Sequence, residues 1–366
     1  MKDVYVCFGM PDKGKYVGGV ASILNSYFLH KDKFSSEGYS IKLFDTSNAY
    51  REKISFTPLR MFAAYFGEKK YTRNFSINTE SVFHIHTSRN FLFCKDVFFG
   101  RYIKKRYKCK TYLTIHVGDY ATVMHFFPSF AASILIRHMN RYFDRIIFMS
   151  KKIKDQFIEH GLKPDQCEVL YNFHDLRELR KDNVKPDIPK KGLNLVFVGM
   201  INRDKGILDL LRAMLKCADI PLHLDICGLI TDNSIEDDYK NLVAELNSRV
   251  TENGYIKGVD KTNLLCKSDV LVLPSYHEGL PLVVLEAMAS GLGLIVTKVG
   301  AIPEILSDQN AVFIEPGDIN SIEQAIRQLY FHREQLEDLK RNNFSLAEKY
   351  CIETHIEKLC AIYNAR

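Results

Sequence analysis

The feature that most constrains this chain is a regular alternation of short apolar runs with longer amphipathic segments. Each run is rich in β-branched and aromatic residues and ends in turn-forming residues, while segments such as 20–29 and 91–106 follow a helical period. This alternation predicts parallel sheets covered by helices on both faces. The strands predicted in the first half are 3–9, 40–46, 81–87, 110–116 and 145–150.

A polar, charged stretch with two prolines interrupts the alternation at residues 171–192, and we interpret it as a linker. Because 366 residues exceed the roughly 250–300 at which a single core stops growing, we predict two domains. Their carboxyl-end loops would border a cleft, where open α/β sheets bind ligands. The predicted bounds are 1–170 and 193–345, with a C-terminal helix over 346–366. The strands predicted in the second half are 193–199, 222–228, 254–258, 270–275 and 293–297.

The composition is that of an ordinary globular protein, with 46% hydrophobic and 26% charged residues. No apolar run approaches the roughly 18–20 residues that span a bilayer, and the N-terminus lacks the apolar core of a signal peptide. The nine cysteines are scattered and form no Cys-x-x-Cys pair, which argues against a disulfide framework or a zinc site. We therefore expect a cytoplasmic protein.

Charge is distributed unevenly about the net value of +6. Residues 1–190 carry 32 Lys and Arg against 19 Asp and Glu, whereas residues 191–366 carry 18 against 25. The run 99–110 has six cations and no acid, and the segment 56–75 is rich in aromatic residues. A basic domain indicates a partner with negative charge, such as a membrane surface or a phosphate-bearing substrate. A single run of cations is also typical of a solvated helix face.

Glycine and histidine residues mark the strand ends of the first domain. Gly18 and Gly19 precede a helical pattern, and such a turn gives a ligand access to backbone amides; a plain tight turn is the alternative. His116 follows the fourth predicted strand and precedes a glycine turn, so we expect it to point into the cleft. His84 and His86 lie within the third predicted strand, where we expect a core or supporting role.

Two cations mark the first strand end of the second domain. The strand 193–199 ends at Gly199, and Arg203 and Lys205 lie in the loop before the predicted helix at 207–217. Cations at this position oppose the positive end of the helix dipole, so the pair indicates a bound anion. Phosphate fits both, because lysine acts as a point charge and arginine as a fork.

Two glutamates lie in the stretch SYHEGLPLVVLEAMASGLG, residues 275–293. Glu278 is in the loop after the strand predicted at 270–275, and Glu286 is inside the helix predicted at 283–290, among apolar neighbours. We predict a phosphate site between these two carboxylates, an arrangement that suits a nucleotide-sugar. The loop amides expected to bind the phosphate are those of Gly279, Leu280 and Leu282, beside the rigid Pro281.

Residues 193–304 resemble the donor-binding domain of glycosyltransferase family 4, whose members are retaining enzymes with the GT-B fold. The family's two glutamates, separated by seven residues, are matched by Pro274-Ser275, Glu278-Gly279, Pro281, Glu286 to Ala289 and Gly291. TKVGAIPEIL (297–306) is also similar, and GGV, LTIHVGDY and VLYNFHD extend the resemblance weakly into the first half. It implies two Rossmann-like domains facing across a cleft, with the C-terminal helix packing back on the first domain.

The resemblance also implies a role for each candidate residue. Glu286 would bind the ribose hydroxyls, Glu278 the donor sugar, and Arg203 and Lys205 the diphosphate. His116 would lie at the donor sugar, near the reacting face. Where many relatives carry an arginine, this chain has Met200, and Arg203 is the cation that could substitute. The remaining contacts implied are those of Gly18 or Gly19 with the donor phosphate and of Ile256 and Lys257 with the base.

These implications predict a hexosyltransferase that moves a sugar from a nucleotide-sugar to a glycan or lipid-linked saccharide in surface-polysaccharide synthesis. We expect a UDP-sugar rather than a GDP-sugar, and a peripheral position on the inner face of the membrane. No Asp-x-Asp motif follows a strand, so we expect no metal and no cofactor; we expect no nucleic-acid partner. The leaving phosphate would itself deprotonate the acceptor, as proposed for the family.

Two other classes of protein stay open on the sequence alone. One is a nucleotide-sugar epimerase or hydrolase with the same fold, which would need paired acid and base groups facing the sugar. The other is a non-catalytic protein that binds sugar nucleotides.

Overall fold

A computed structural model describes residues 1–9, 19–49, 58–88, 91–118, 120–124, 127–175 and 192–365. The chain divides into two compact units, of which the first comprises Met1–Asn172 with Ile352–Arg366 and the second Phe173–Cys351. Each unit contains a six-stranded sheet, so the predicted α/β class is confirmed. Among the described helices, none combines the length and the apolarity needed to cross a bilayer.

All strand neighbours in both sheets are parallel, with strand orders β2-β1-β3-β4-β5-β6 and β12-β11-β10-β7-β8-β9. Central strands are buried on both faces, as in β4 and β10, because helices cover the sheets. In the first unit the strands are β1 Lys2–Phe8, β2 Tyr39–Asp45, β3 Val82–Thr87, β4 Lys110–Ile115, β5 Arg145–Phe148 and β6 Cys167–Val169. In the second unit they are β7 Leu193–Val198, β8 Leu222–Cys227, β9 Val250–Gly254, β10 Val270–Leu273, β11 Gly293–Thr297 and β12 Val312–Ile314.

The α-helices follow the strands in chain order. The first unit contains α1 Gly19–Leu29, α2 Lys31–Ser36, α3 Pro58–Tyr71, α4 Phe91–Tyr107, α5 Tyr120–Met124, α6 Ser129–Tyr142 and α7 Lys151–Glu159. The second unit contains α8 Ile207–Lys216, α9 Glu236–Leu246, α10 Gly258–Lys267, α11 Leu282–Ala289, α12 Ile302–Ile305, α13 Ile319–Phe331 and α14 Arg333–Ala347. The last helix, α15, spans Ile352–Asn364.

The helix α15 belongs to the first unit, although the chain reaches it only after the second. The hydroxyl of Tyr363 lies 2.6 Å from Nδ1 of His84, in a hydrogen bond between buried groups. At the other end of the helix, the hydroxyl of Tyr27 lies 2.7 Å from Nε2 of His355. The predicted return of the C-terminal helix to the first domain is therefore confirmed.

Several predicted elements differ from the structure at their ends. The strand predicted at 254–258 is wrong, because β9 ends at Gly254 and the chain turns there with a φ of 62°. The edge strands β6 and β12 were not predicted, since three residues are too few to show a period. Residues 176–191 of the predicted linker lie outside the described residues.

Candidate functional site

The carboxyl ends of β7 and β10 lie side by side in the second sheet. A loop after β7 carries Arg203 and Lys205, and a loop after β10 carries Glu278. Parallel neighbours bring such loops to the same edge of a sheet. The two loops are joined where the amide of Tyr276 donates to the carbonyl of Asp204, at 2.8 Å.

A short 3₁₀ turn, Arg203–Lys205, presents the two cations. Its cap is Asn202, whose Oδ1 accepts a hydrogen bond from the amide of Lys205 at 3.1 Å. Gly206 then adopts a φ of 67°, and a Cβ atom there would lie 2.1 Å from the carbonyl oxygen of Pro274. Glycine is required on both counts, so the turn is fixed against the end of β10.

Lys205 and Glu278 form an ion pair that the sequence did not indicate. Nζ of Lys205 lies 2.5 Å from Oε1 of Glu278, and the hydroxyl of Ser275 donates to the same oxygen at 2.8 Å. The side chains are 18% and 7% exposed. This carboxylate relieves the conflict between the lysine and the helix dipole. Oε2 of Glu278 has no hydrogen-bond partner among the described residues, so it is available to a ligand.

Glu286 is held in the same way by Lys261, a residue that the sequence analysis missed. Nζ of Lys261, on α10, lies 2.6 Å from Oε1 of Glu286, on α11. The two side chains are 23% and 14% exposed. Within the described part of the chain Oε2 of Glu286 has no partner either. No local pattern marks Lys261, because the contact joins two helices across 25 residues of chain.

The loop before α11 presents backbone amides between the two glutamates. The N-cap residue Pro281 makes no side-chain hydrogen bond, and the amides of Gly279 and Leu282 have no partner in the described part of the chain. The carbonyl of Gly279 is fixed by the amide of Ala301, at 2.8 Å. Leu280 is buried. A helix start with free amides binds anions, so the geometry suits a phosphate group.

In the first unit, His116 is hydrogen-bonded to His86 at the carboxyl ends of β4 and β3. Nε2 of His116 lies 2.9 Å from Nδ1 of His86. His86 is 3% exposed, and its Nε2 has no partner among the described residues. An orphaned N–H is rarer in folded proteins than an unpaired acceptor, so we place the hydrogen of His86 on Nδ1, donating to His116. His116 then carries its own hydrogen on Nδ1.

Burial keeps this group of histidines neutral. It lowers the pKa of His116 to about 4 and the pKa of His355 to about 3. Burial, with help from neighbouring imidazoles, lowers the pKa of His84 to about 3 and holds the pKa of His86 well below its usual range. Neutral His116 is therefore a hydrogen-bonding group rather than a cation.

A cavity of about 490 Å³ lies at the carboxyl ends of β1, β2 and β3, lined in part by Gly19, His86, Lys95 and Asp96. Lys95 forms buried ion pairs with Glu68 and with Asp96, the latter at 2.7 Å. The structure thus places Gly19 at a cavity that Lys95 and Asp96 also line, while Gly18 lies outside the described residues. Among the described residues, no cluster of three His, Cys, Asp or Glu side chains could hold a metal ion.

Three other candidates lie at the second sheet. The amide of Gly199 donates to the carbonyl of Cys227 at 2.9 Å, which ties the end of β7 to β8. Ile256 and Lys257 lead directly into α10, the helix that carries Lys261. Arg203 is exposed, as is Lys257. The structure therefore brings Lys205 and Glu278 into contact and adds Lys261 as the partner of Glu286.

Two family profiles match the chain in succession. The profile described as Glycosyltransferase Family 4 matches residues 49–178, and the one described as Glycosyl transferases group 1 matches residues 179–345. Both matches agree with the resemblance found in the sequence.

Individual relatives and a solved structure are similar over most of the chain. An "Uncharacterized 41.2 kDa protein in cps region" of Klebsiella pneumoniae is 25% identical over 80% of this chain and 81% of its own length. The N-acetylgalactosamine-N,N'-diacetylbacillosaminyl-diphospho-undecaprenol 4-alpha-N-acetylgalactosaminyltransferase of Campylobacter jejuni is 27% identical over 71% of this chain and 68% of its own. The structure of Anabaena HepE in complex with UDP-glucose superposes with a TM-score of 0.72 and 16% identity, over 100% of this chain and 99% of that one.

Proposed function

The chain belongs to glycosyltransferase family 4 and has its GT-B fold, and from this premise we propose that it is a retaining hexosyltransferase. It would move a sugar from a nucleoside-diphosphate sugar to a hydroxyl of a glycan or lipid-linked saccharide. The observation that carries this proposal is the pair of glutamates, Glu278 and Glu286, each held by a lysine through one oxygen. Each has a second oxygen without a partner among the described residues, and the loop between them in the chain carries free amides.

The proposed donor lies across the edge of the second sheet. Oε2 of Glu286 accepts hydrogen bonds from the ribose hydroxyls, and Oε2 of Glu278 accepts one from the transferred sugar. The amides of Gly279 and Leu282 bind the diphosphate between them. The backbone at Ile256 and Lys257 borders the base, and Gly18 or Gly19 approaches the donor phosphate. We propose a UDP-sugar, since HepE, of similar fold, has been solved with UDP-glucose.

We propose that the leaving nucleoside diphosphate is stabilised by Lys205, Arg203 and the loop amides. A lysine ammonium has three N–H donors, and Glu278 uses one of those of Lys205. The other two remain for phosphate oxygens, together with the exposed guanidinium of Arg203. Donors that are already in position act on the negative charge as it develops, so we propose transfer without a metal ion.

His116 would donate its Nδ1 hydrogen to a hydroxyl of the donor sugar. Because its pKa is lowered to about 4 by burial, it orients the sugar and does not act as an acid near neutral pH. The acceptor proton passes to an oxygen of the leaving phosphate on the same face.

We propose that the pathway is surface-polysaccharide synthesis, such as that of capsule or O-antigen, in the cytoplasm at the membrane. The support is that the Klebsiella relative comes from a cps region and that the name of the Campylobacter relative contains diphospho-undecaprenol. The basic first unit is compatible with a lipid-linked acceptor, and we propose no nucleic-acid partner.

The experiment is a thermal-shift screen of UDP-, GDP- and ADP-sugars, followed by transfer assays with the sugar that stabilises the protein, because a ligand of the folded state raises its melting temperature. Addition of EDTA should leave transfer unchanged. Glu286→Gln should mainly weaken donor binding, and Glu278→Gln should mainly lower kcat. The matched control is Glu236→Gln, which breaks an exposed Lys–Glu pair of 2.6 Å on α9.

Three results would contradict the proposal. If none of the sugars stabilises the protein, the donor assignment is wrong. If a donor binds and Glu278→Gln changes only its affinity, with no transfer in either protein, the chain is a binding protein. If the donor sugar is released to water or epimerised without transfer, the hydrolase or epimerase alternative applies.

A further inference from the structure

One face of α6 exposes apolar and cationic residues in a continuous stripe. Phe130 is 70% exposed and Ile134 is 41% exposed, one helical turn apart. Arg137 and Arg141 continue the same stripe, since spacings of four, three and four residues keep side chains on one face. The opposite face of the helix is buried through Leu135, Ile136, Met139 and Tyr142. The exposed pair is thus not needed for the core of this unit.

The neighbouring helix α4 carries cations that meet α6 at Tyr142, a residue of the buried face next to Arg141. The ring of Tyr142 lies 5.6 Å from Cζ of Arg101, 5.7 Å from Nζ of Lys105 and 5.6 Å from Cζ of Arg141. Three cations from two helices therefore surround one aromatic ring. We call the exposed residues Phe130, Ile134, Arg137 and Arg141, with the exposed Lys105 of α4, the α4–α6 face.

The cations of this face are not neutralised by nearby acids. Asp144, at the end of α6, is engaged by Lys104 at 2.6 Å. In the described part of the chain, no carboxylate forms an ion pair with Lys105, Arg137 or Arg141. Only part of the basic run at 99–110 therefore serves the fold, and the rest gives the surface a positive potential.

We infer that the α4–α6 face docks on an anionic lipid bilayer. Its cations would lie at the lipid phosphates, and Phe130 and Ile134 would enter the boundary between head groups and acyl chains. Lipid fits better than nucleic acid, because the exposed aliphatic side chain of Ile134 has no π-face for base stacking. The inference deepens the proposed function by bringing the enzyme to a lipid-linked acceptor, but docking is measured without any transfer reaction.

The test is flotation of the full chain with two kinds of vesicle. One contains phosphatidylcholine alone, and the other also contains about 30% phosphatidylglycerol, so that about one lipid in three is anionic. We expect binding to the anionic vesicles at low salt and a steep loss as salt is added. Arg137→Gln with Arg141→Gln should lower the partition coefficient about 25-fold, at about fivefold per cation near an anionic surface. Phe130→Ser with Ile134→Ser should lower it about tenfold.

Matched controls lie on the second unit. Phe331→Ser removes a phenylalanine that is 63% exposed, and Arg341→Gln with Lys349→Gln removes two exposed cations. These controls should bind as the unchanged protein does, and melting temperatures should show that every variant folds. The inference is overturned if the unchanged protein does not float or if face and control variants bind alike. It is also overturned if a DNA duplex binds more tightly than the vesicles at the same salt.

Discussion

Acidification should destabilise the first unit, because its histidines stay neutral in the folded state at pH values where the unfolded chain protonates them. Burial lowers the pKa of His116 to about 4 and the pKa values of His84 and His355 to about 3. In the unfolded chain the pKa of histidine is about 6.5. Below pH 6.5 the unfolded state therefore binds protons that the folded state does not. The free energy of unfolding has its full value above pH 6.5 and falls as the pH is lowered toward the pKa values of the folded state.

The size of the effect follows from the number of protons. At pH 5.0, each of these three histidines lowers the free energy of unfolding by about 2 kcal/mol, since one pH unit corresponds to about 1.4 kcal/mol per proton. Together they remove about 6 kcal/mol, and His86 acts in the same direction. Whole domains are stable by about 5–15 kcal/mol, so this loss is a large share of the stability of the first unit at pH 5.

The assay is urea denaturation between pH 7.5 and 5.0, followed by labelling of buried thiols with a disulfide reagent that reacts in acid. Cys7 and Cys109 report on the first unit, and Cys217 and Cys227 report on the second. Far-ultraviolet circular dichroism provides a second probe, because the chain has no tryptophan. If the free energy of unfolding of the first unit is constant from pH 7.5 to 5.5, the histidines are not held neutral by burial and the reasoning is refuted.

Two further predictions concern the second unit. Gly206→Ala should lower its free energy of unfolding by at least about 2 kcal/mol, from the positive φ and the contact with Pro274, and a urea midpoint equal to that of the unchanged protein would contradict this. Lys261→Met should weaken UDP binding about tenfold but leave binding of 2′,3′-dideoxy-UDP nearly unchanged, because the lysine acts through Glu286 on the two ribose hydroxyls that this analogue lacks. Calorimetry measures both affinities, Lys240→Met is the control, and equal losses for the two nucleotides would show that Lys261 acts elsewhere.

The sequence predicted the parts of this protein that depend on local patterns. Strands β1, β4 and β11 lie within one or two residues of their predicted ends, because an apolar run bounded by turn residues is a local signal. The prediction failed for β9, where Gly254 ends the strand and Gly258 begins a helix. The sequence shows both glycines, but composition alone does not distinguish a turn from a strand that contains glycine.

The dependence on local patterns also explains which residues of the candidate site were predicted and which were missed. Glu278 and Glu286 were found because they occupy one continuous stretch, with a fixed distance between them in the chain. Lys261 was missed because its contact with Glu286 depends on how α10 packs against α11. A contact between two helices leaves no regular spacing of residues in the sequence. The tautomer of His116 likewise depends on a buried contact with His86 across two strands.

The two lysines change how the charge of the proposed site should be counted. The sequence analysis treated Arg203 and Lys205 as two unpaired cations that would bind a diphosphate. In the structure Lys205 is paired with Glu278 and Lys261 with Glu286, so these four groups carry no net charge. A diphosphate that binds here must then be neutralised mainly by Arg203, the remaining donors of Lys205 and the loop amides. Because Met200, which precedes this loop in the chain, is uncharged, Arg203 would supply most of the remaining positive charge. We therefore expect departure of the leaving nucleoside diphosphate to be the step that depends most on Arg203.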